Sequence, residues 1–235
     1  MNAFIVAQQR TGSTLLYEFL DSHPGIFCAD ELFIVKGKID YRFRMIKVYN
    51  WYRKTKGWTT DQFIDWVFSL SQHSCMKILY HQIDFFKLHD RVFSMPIIHL
   101  TRRNYFHRAV SQFATVGTIV NKKPESYIKD MQEAIARDNL WEDAFKEHQK
   151  NKKYLRLYYE DLVGRHEDVR RARYTFINEK IGKSLCNFFG VPYFEMYTAT
   201  PKALRNKNYW EYVPEKHRKV LKIVLEQSFP DSVWK

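Results

Sequence analysis

The sequence predicts an α/β fold, a three-layer sandwich in which helices cover both faces of a central parallel sheet. Short apolar runs alternate with longer segments whose apolar residues recur at helical spacing, and this alternation is typical of parallel βαβ units. The chain has 235 residues, enough for one sizeable core, and no internal repeat or low-complexity linker divides it. We therefore expect a single domain over 1–235.

The elements of this fold follow from apolar periodicity and turn formers. Apolar runs predict five strands, at 3–8, 26–33, 75–81, 96–101 and 153–159. Helical spacing predicts helices at 14–21, within 40–72 with a break near Lys56-Gly57, at 103–116, at 124–150, at 176–189 and at 214–229. Turn formers end two of these helices, His23-Pro24-Gly25 after the first and Gly190-Val191-Pro192 after the one at 176–189.

The composition narrows the classes of ligand. Lys and Arg number 38 against 26 Asp and Glu, a formal net charge of +12, which favours polyanions, anionic surfaces or small, highly charged ligands. Cys28, Cys75 and Cys186 form no CxxC pair and the sequence has no HExxH, so neither a disulfide framework nor a metal site is indicated. No apolar stretch reaches the ~20 residues that span a bilayer and no secretory signal is visible, so we expect a cytoplasmic protein or a soluble catalytic fragment.

The segment QQRTGSTLL, residues 8–16, predicts an anion-binding loop. It joins an apolar strand to the start of a helix through a polar turn, and a helix start combines free N–H groups with a positive dipole end. Gly12 allows the backbone to approach a ligand closely, and Arg10, Thr11, Ser13 and Thr14 can donate further hydrogen bonds.

Two common nucleotide loops do not fit this segment. A Walker A loop carries lysine directly after its second glycine, whereas here Ser13 follows Gly12 and the cation Arg10 precedes it. A dinucleotide fingerprint needs three glycines, and Gly12 is the only glycine in the loop. The sequence therefore predicts a phosphorylated ligand, bound by hydroxyls and an arginine without a metal.

A second stretch, IIHLTRRNYFHRAVSQ at 97–112, repeats the same plan. An apolar strand ends in Arg102 and Arg103, and a helix follows. Ser111 lies eight positions after Arg103, about two helical turns along. The two side chains can share one anion if Arg103 stands just before the first turn.

Together, QRTGSTLL and RNYFHRAVS resemble the two nucleotide motifs of the P-loop sulfotransferase family. The first is similar to the family's 5′-phosphosulfate loop, and the second to its 3′-phosphate motif, an arginine and a serine eight positions apart. A third segment, YYEDLV at 158–163, resembles the family's YED segment at a strand end. The resemblance is closer to bacterial and glycan-type members than to animal cytosolic aryl sulfotransferases.

This resemblance implies a P-loop nucleotide-binding fold and an enzyme that moves a sulfuryl group from 3′-phosphoadenylyl sulfate (PAPS) to an acceptor hydroxyl of a glycan, another sugar or another small molecule, with 3′,5′-ADP (PAP) as product. Arg10 would take the catalytic basic position and contact the bridging oxygen. The loop from Thr11 to Thr14 would cradle the 5′-phosphate. Arg103 and Ser111 would hold the 3′-phosphate, and Tyr159 would lie near the adenine.

A base is needed because the acceptor hydroxyl loses its proton as it attacks sulfur. Glu31, in FCADELF after the second strand, is our first choice because similar bacterial and glycan enzymes place a glutamate there, and its neighbour Asp30 is an alternative. His81 competes from the end of the third strand. The cytosolic enzymes space their lysine and histidine by two residues, whereas Lys77 and His81 are four apart.

Several further segments carry weaker expectations. The late segment ATPKALRNKNYWEY, residues 199–212, resembles a loop that closes the nucleotide pocket, with Arg205 as its contact. The aromatic and basic stretch 41–58 either shapes the acceptor pocket or is a helix packed by its Tyr and Trp residues. We interpret His99 and His107 as structural. No motif identifies the acceptor.

Two other functions fit part of the pattern. A basic nucleic-acid-binding protein would use the arginines on backbone phosphates. A nucleotide kinase-like P-loop enzyme would use the first loop for its own nucleotide. The three ordered motifs favour the sulfotransferase, for which we expect no nucleic-acid partner, no membrane span and no metal.

Overall fold

The central sheet is parallel, as predicted. The computed structural model of the chain describes residues 1–30, 44–115, 122–148, 150, 153–169, 172–199 and 209–229. Its main sheet contains β1 (Asn2–Ala7), β2 (Phe27–Ala29), β3 (Ser74–Leu79), β4 (Ile97–Thr101) and β5 (Tyr154–Tyr158), in the order β2-β3-β1-β4-β5. All four pairings between these strands are parallel.

Helices connect these strands at close to the predicted positions. They are α1 (Ser13–Asp21), α2 (Arg44–Lys56), α3 (Thr60–Ser69), α4 (Tyr80–Phe86), α5 (His89–Phe93), α6 (Tyr105–Thr115), α7 (Pro124–His148), α8 (Glu179–Phe189) and α9 (Glu215–Ser228). The predicted break near Lys56-Gly57 separates α2 from α3, and Gly57 there has a φ of +66°. Among the described residues, no helix is both long and apolar enough to span a bilayer.

The side chains of β1 divide between two buried clusters, one on each face of the sheet, because successive residues of a strand point to opposite sides. Ala3, Ile5 and Ala7 pack in one cluster with apolar residues of α1 and α8. Phe4 and Val6 pack in the other with apolar residues of α3 and α4. Helices therefore cover both faces, and the predicted three-layer arrangement is confirmed.

The third strand ends earlier than the sequence predicts. β3 stops at Leu79, and Tyr80 and His81 open helix α4. The side-chain Oε1 of Gln82 accepts a hydrogen bond from the backbone N–H of Leu79 at 2.8 Å, which satisfies a donor that a helix start would otherwise leave unpaired. The prediction that His81 ends a strand is wrong, although His81 lies just beyond the carboxyl end of β3.

The basic stretch after β5 forms strands that the sequence analysis did not predict. β6 (Val163–Val169) and β7 (Ala172–Ile177) pair antiparallel, and β8 (Tyr197–Thr198) adds a third strand. The Arg165 guanidinium lies 4.2 Å from the centre of the Phe176 ring and 2.5 Å from a carboxylate oxygen of Glu195. Ion pairing and stacking thus give a charged segment extended structure.

The described part of the aromatic stretch 41–58 supports packing rather than a pocket. Tyr52 stacks on Trp58 with ring centres 4.2 Å apart, and Trp66 of α3 lies 5.0 Å from Tyr52. These rings pack against the apolar cluster that contains Phe4 and Val6. Their packing gives these rings a structural role.

A disulfide joins the neighbouring strands β2 and β3, which the cysteine spacing did not indicate. Cys28 and Cys75 are direct partners in the parallel register, with Cα atoms 4.7 Å apart. Their separation of 47 residues in sequence hides a contact that only the strand order creates. Cys186 is buried and free.

Candidate functional site

The segment 8–12 forms a tight loop between β1 and α1, and residues 13 and 14 begin the helix. Arg10 and Gly12 both adopt left-handed backbone conformations, with φ of +67° and +87°. Thr11 is completely buried, and its hydroxyl donates to the carbonyl oxygen of Gln8 at 2.8 Å. Since Ser13 is the first residue of α1, the loop brings the positive end of the helix dipole to the end of the central strand.

The two sequence motifs meet at Arg10. Its Nε and Nη2 atoms donate to the hydroxyl oxygen of Ser111, at 3.2 and 3.1 Å. Ser111 lies on α6, the helix that follows the neighbouring strand β4. An arginine and a hydroxyl from separate motifs therefore border one spot beside the α1 N-terminus, a combination that suits a phosphate or sulfate group.

Arg103, the predicted partner of Ser111, is engaged elsewhere. Its two terminal nitrogens each donate to Asp161 at 2.7 Å, and its guanidinium lies 4.1 Å from the centre of the Tyr158 ring. Its backbone N–H donates to Glu160 at 3.0 Å. Arg103 is half exposed, with 45% of its side chain accessible. The structure does not bring Arg103 and Ser111 into contact, and their shared 3′-phosphate stays a prediction.

The arginine that supports the loop is Arg102, which the sequence analysis did not select. It is buried, and its Nη1 donates to the backbone oxygen of Arg10 at 3.2 Å. Its guanidinium lies 4.4 Å from the centre of the Tyr159 ring and 5.3 Å from that of Tyr209. Arg102 therefore fixes the unusual backbone of Arg10 and joins it to two aromatic rings.

Tyr159, the tyrosine predicted near the adenine, packs directly on the loop. A Cβ atom on Gly12 would lie 2.0 Å from Cδ2 of Tyr159. Burial raises the pKa of the Tyr159 hydroxyl, and nearby Arg102 opposes that shift. Only a residue without a side chain fits beneath this ring, so the glycine is needed here for close approach as well as for its backbone conformation.

Lys77 is a second residue that the sequence analysis did not place at the loop. It lies on the buried strand β3, and its side chain is 1% exposed. Its ammonium donates to the hydroxyl of Thr14 at 3.1 Å and lies 2.7 Å from a carboxylate oxygen of Asp30. Lys77 therefore brings a positive charge to the first turn of α1 and ties the end of β2 to it.

The candidate bases are only partly described. Glu31, the first choice of base, lies outside the described residues. So does Arg205, which was predicted as a contact of the nucleotide pocket and not as a base. Asp30, the alternative to Glu31, carries the ion pair to Lys77. His81 lines a cleft beside the loop, together with Gln8 and Gln9. Burial lowers the pKa of His81, and the charge of Arg137 lowers it further, so its imidazole is neutral and able to accept a proton at neutral pH.

A buried polar network supports the first residue of the loop. Asp138 of α7 accepts hydrogen bonds from Gln8 Nε2 at 2.8 Å, from the Tyr80 hydroxyl at 2.9 Å and from the Tyr105 hydroxyl at 2.7 Å. Tyr80 also contacts His99. Burial lowers the pKa of His99 to about 3, in agreement with its interpretation as structural.

Two of the residues that the sequence analysis missed could have been found from a signal in the sequence. Lys77 is a lysine within a strand whose six residues are all buried, and lysine is rarely buried without a partner. Arg102 is the first residue after β4 and directly precedes the arginine that was chosen. His107, interpreted as structural, stacks on Tyr209 at 4.3 Å between ring centres.

Comparisons with known proteins agree with the predicted fold and with the family resemblance. Residues 2–94 match the model of a family described as "Sulfotransferase family". No curated protein matches the chain significantly. The sulfotransferase domain from the Curacin biosynthetic pathway is 14% identical, with a TM-score of 0.52 over 97% of this chain and 98% of that domain.

Two further solved structures give TM-scores just under 0.5. The sulfotransferase domain of the Synechococcus PCC 7002 olefin synthase is 16% identical, with a TM-score of 0.49 over 98% of this chain and 96% of that one. Mouse sulfotransferase SULT7A1, solved in complex with PAP, is 14% identical, with a TM-score of 0.48 over 96% and 82%. The resemblance drawn from the motifs is confirmed by the family match and by the Curacin-pathway fold. Residues 2–94 thus match the sulfotransferase family model, and the fold of the chain is similar to that of a sulfotransferase domain over nearly its whole length.

Proposed function

We propose that the protein transfers a sulfuryl group from PAPS to an acceptor hydroxyl, without a metal. The observation that carries this proposal is the contact between Arg10 and Ser111, at 3.1 Å. It joins the loop after β1 to the helix after β4, the two places where a nucleotide with two separated phosphates would be held. The match of residues 2–94 to the sulfotransferase family model supports the same function.

The residues at the loop fit a phosphosulfate donor. Arg10 supplies a positive charge beside the α1 N-terminus, and the buried Lys77 adds an ammonium that is paired with Asp30. Ser13, Thr14 and Ser111 supply hydroxyls. Charge-assisted hydrogen bonds to phosphate and sulfate oxygens are the strongest that such side chains make. PAPS supplies the activated sulfuryl group, and these residues bind and orient it.

The proposed chemistry is an in-line transfer. The acceptor oxygen forms a bond to sulfur while the bond from sulfur to the bridging oxygen breaks, and PAP leaves with that electron pair. Arg10 stabilises the negative charge that develops on the leaving group, as preorganised donors do in related transfers. The acceptor's proton passes to a base, for which we propose Glu31, with His81 as the competing candidate.

The 3′-phosphate is proposed to bind at Arg103 and Ser111, with Tyr159 near the adenine and Arg205 closing the pocket. Arg103 would then exchange its two hydrogen bonds to Asp161 for bonds to phosphate. This exchange is feasible because the ion pair is half exposed, and exposed pairs contribute little to stability, about 0–1 kcal/mol.

Calorimetry in EDTA tests the proposal most directly. PAP should bind, whereas AMP should bind much less well because it leaves Arg103 and Ser111 without a 3′-phosphate. Thermal shift assays with PAP, with ATP and magnesium, and with single-stranded DNA separate the competing functions, since a ligand that binds only the native state raises its melting temperature. Stabilisation by ATP or DNA but not by PAP would overturn the proposal.

A further inference from the structure

A polar cleft adjoins the loop between β1 and α1. Its volume is about 330 Å³, and its walls come from the loop, from the first turn of α4 and from α6 and α7. Gln8 and Gln9 of the loop and His81 of α4 line it. Gln112 also lines it and directly follows Ser111, the residue that contacts Arg10. The cleft is therefore lined by the sequence neighbours of Arg10 and Ser111, two residues of the proposed phosphosulfate site.

The lining is polar to an unusual degree. Eight of its ten residues carry an amide, a guanidinium, a carboxylate or an imidazole, and the exceptions are Tyr80 and Ala134. Pockets for small organic ligands are lined mainly by apolar and aromatic side chains. Amides and carboxylates, by contrast, offer donors and acceptors in the alternating arrangement that hydroxyl groups need.

The charges in the lining balance. The lining contains two positive side chains, Arg108 and Arg137, and two negative ones, Asp130 and Glu133. Arg108 is buried, with its Nη2 atom 2.5 Å from a carboxylate oxygen of Asp130. Its Nη1 also donates to the backbone oxygen of Gln9, at 3.4 Å. The formal charges of the lining therefore sum to zero, Arg108 ties the wall to the loop, and the lining offers no net positive charge to an acidic ligand.

We propose that this cleft is the acceptor site and that the acceptor is a neutral mono- or disaccharide. The inference rests on the proposed sulfuryl transfer and names the substrate class for it. A volume near 330 Å³ is at the lower end of ligand sites, which run from about 300 to 1,000 Å³, and suits one or two sugar rings. Sites built to hydrogen-bond a substrate hydroxyl reject analogues that lack it by about 10⁴-fold. A phenol or a steroid alcohol has the reacting hydroxyl but lacks the further hydroxyls of a sugar, so it is a poor acceptor here.

The position of the cleft also gives His81 a contact with the acceptor. It lines the cleft, and its imidazole can accept a proton at neutral pH. His81 therefore orients the reacting hydroxyl even if Glu31 is the base. In that case a His81 variant changes KM for the acceptor more than it changes PAP affinity.

An acceptor panel with radiolabelled PAPS tests the assignment. The panel contains neutral mono- and disaccharides, a uronic-acid disaccharide, 4-nitrophenol and a steroid alcohol. We expect transfer to a neutral sugar at the highest kcat/KM, and calorimetric binding of that sugar to the PAP-loaded protein. Higher kcat/KM for the phenol, the steroid or the acidic sugar overturns the assignment, as does the absence of any labelled or bound sugar while PAP still binds.

Two substitutions that keep side-chain bulk locate the site. Gln112→Leu and Arg137→Met should each raise the sugar's KM at least about tenfold and leave the Kd for PAP unchanged. The matched controls Gln72→Leu and Lys183→Met, neither of which lines the cleft, should change neither quantity. Unchanged KM in both cleft variants overturns the acceptor assignment alone, whereas a wild-type protein that fails to bind PAP overturns the sulfuryl transfer and the assignment with it.

Discussion

The ring of Tyr159 lies against the bare backbone of Gly12, so close that an added Cβ atom would stand 2.0 Å from its Cδ2. The strand-end tyrosine of one motif and the loop glycine of another thus form a single contact. Because Arg102 also stacks on Tyr159 at 4.4 Å, the shape of the loop depends on three elements that are distant in sequence.

Gly12→Ala should destabilise the protein and abolish PAP binding. The substitution places a methyl group inside the Tyr159 ring and forces alanine to a φ of +87°, a combination that we expect to cost more than the ~1 kcal/mol of a strained backbone alone. Gly57→Ala is the matched control, because its φ is +66° but its Cβ would meet nothing within 4 Å. Equal losses of unfolding free energy in urea for the two variants would show that the Tyr159 contact is unimportant.

Arg10→Ala should reduce turnover far more than PAP affinity. Its guanidinium is proposed to act where charge develops, and such donors contribute about 2.7–4 kcal/mol, or about 10²–10³-fold in kcat. Single-turnover sulfuryl transfer and the Kd for PAP are measured together, with Arg91→Ala as a control because Arg91 pairs with Asp65 away from the loop. A parallel fall in rate and affinity would make Arg10 a binding residue only.

Glu31→Gln and His81→Asn separate the two candidate bases. We expect Glu31→Gln to keep PAP binding and lose most transfer, and His81→Asn to lose less, mainly through the acceptor's KM. The pH profile of kcat/KM is an independent readout, since a glutamate base gives an acidic limb that disappears in the glutamine variant. Near-normal turnover in Glu31→Gln with an inactive His81→Asn would reverse the assignment.

Asp138→Asn should lower the free energy of unfolding by about 1–3 kcal/mol. The carboxylate accepts hydrogen bonds from Gln8, Tyr80 and Tyr105, and an amide cannot accept all three because one of its two ends becomes a donor. Asp143→Asn on the same helix is the control, because its side chain is 80% exposed. Urea denaturation that fails to distinguish the two variants would contradict this account of the network.

Stability should fall as the pH drops from 7 to 5. Burial lowers the pKa of His99 to about 3 and that of His107 to about 4, so both stay neutral in the folded protein while the unfolded chain takes up protons below ~6.5. The unfolded state then binds more protons, and His99 alone contributes up to about 1.4 kcal/mol per pH unit. The raised pKa of Asp138, caused by burial, acts in the opposite direction.

The half-buried His107 gives this pH dependence a direct check. His107→Gln removes one of the two groups, so the slope of unfolding free energy against pH between 7 and 5 should become shallower than in the wild type. The measurement is urea denaturation at several pH values. An unchanged slope would mean that His107 is already protonated in the folded protein.

Periodicity predicted the parallel sheet because its strands are buried on both faces and therefore appear as continuous apolar runs. It wrongly extended β3 through Tyr80 and His81 because a buried helix start is as apolar as a strand. The strand ends where Leu79 donates to the Gln82 side chain, and this hydrogen bond leaves no periodic pattern in the sequence. The β6–β7 hairpin was missed for the opposite reason. Its charged residues give no apolar alternation, and pairing holds it extended.

The motifs predicted which loops meet but not which side chain does what within them. Arg102 and Arg103 are adjacent, yet one is buried behind the loop and the other is half exposed on Asp161. The difference depends on the direction that the chain takes after the end of β4. Lys77 and Asp30 likewise meet only because β2 and β3 are neighbours, which no local pattern specifies.

The position of β1 at the centre of the sheet sets an order for folding during synthesis. Its two hydrogen-bonded neighbours are β3 and β4, which begin at residues 74 and 97. A nascent chain therefore carries an apolar strand with both edges unpaired until residue 79 has left the ribosome, and with one edge unpaired until residue 101 has left it. Such edges are prone to aggregation. Ribosome-associated chaperones would meet this chain at its first strand, long before Arg10 can reach Ser111.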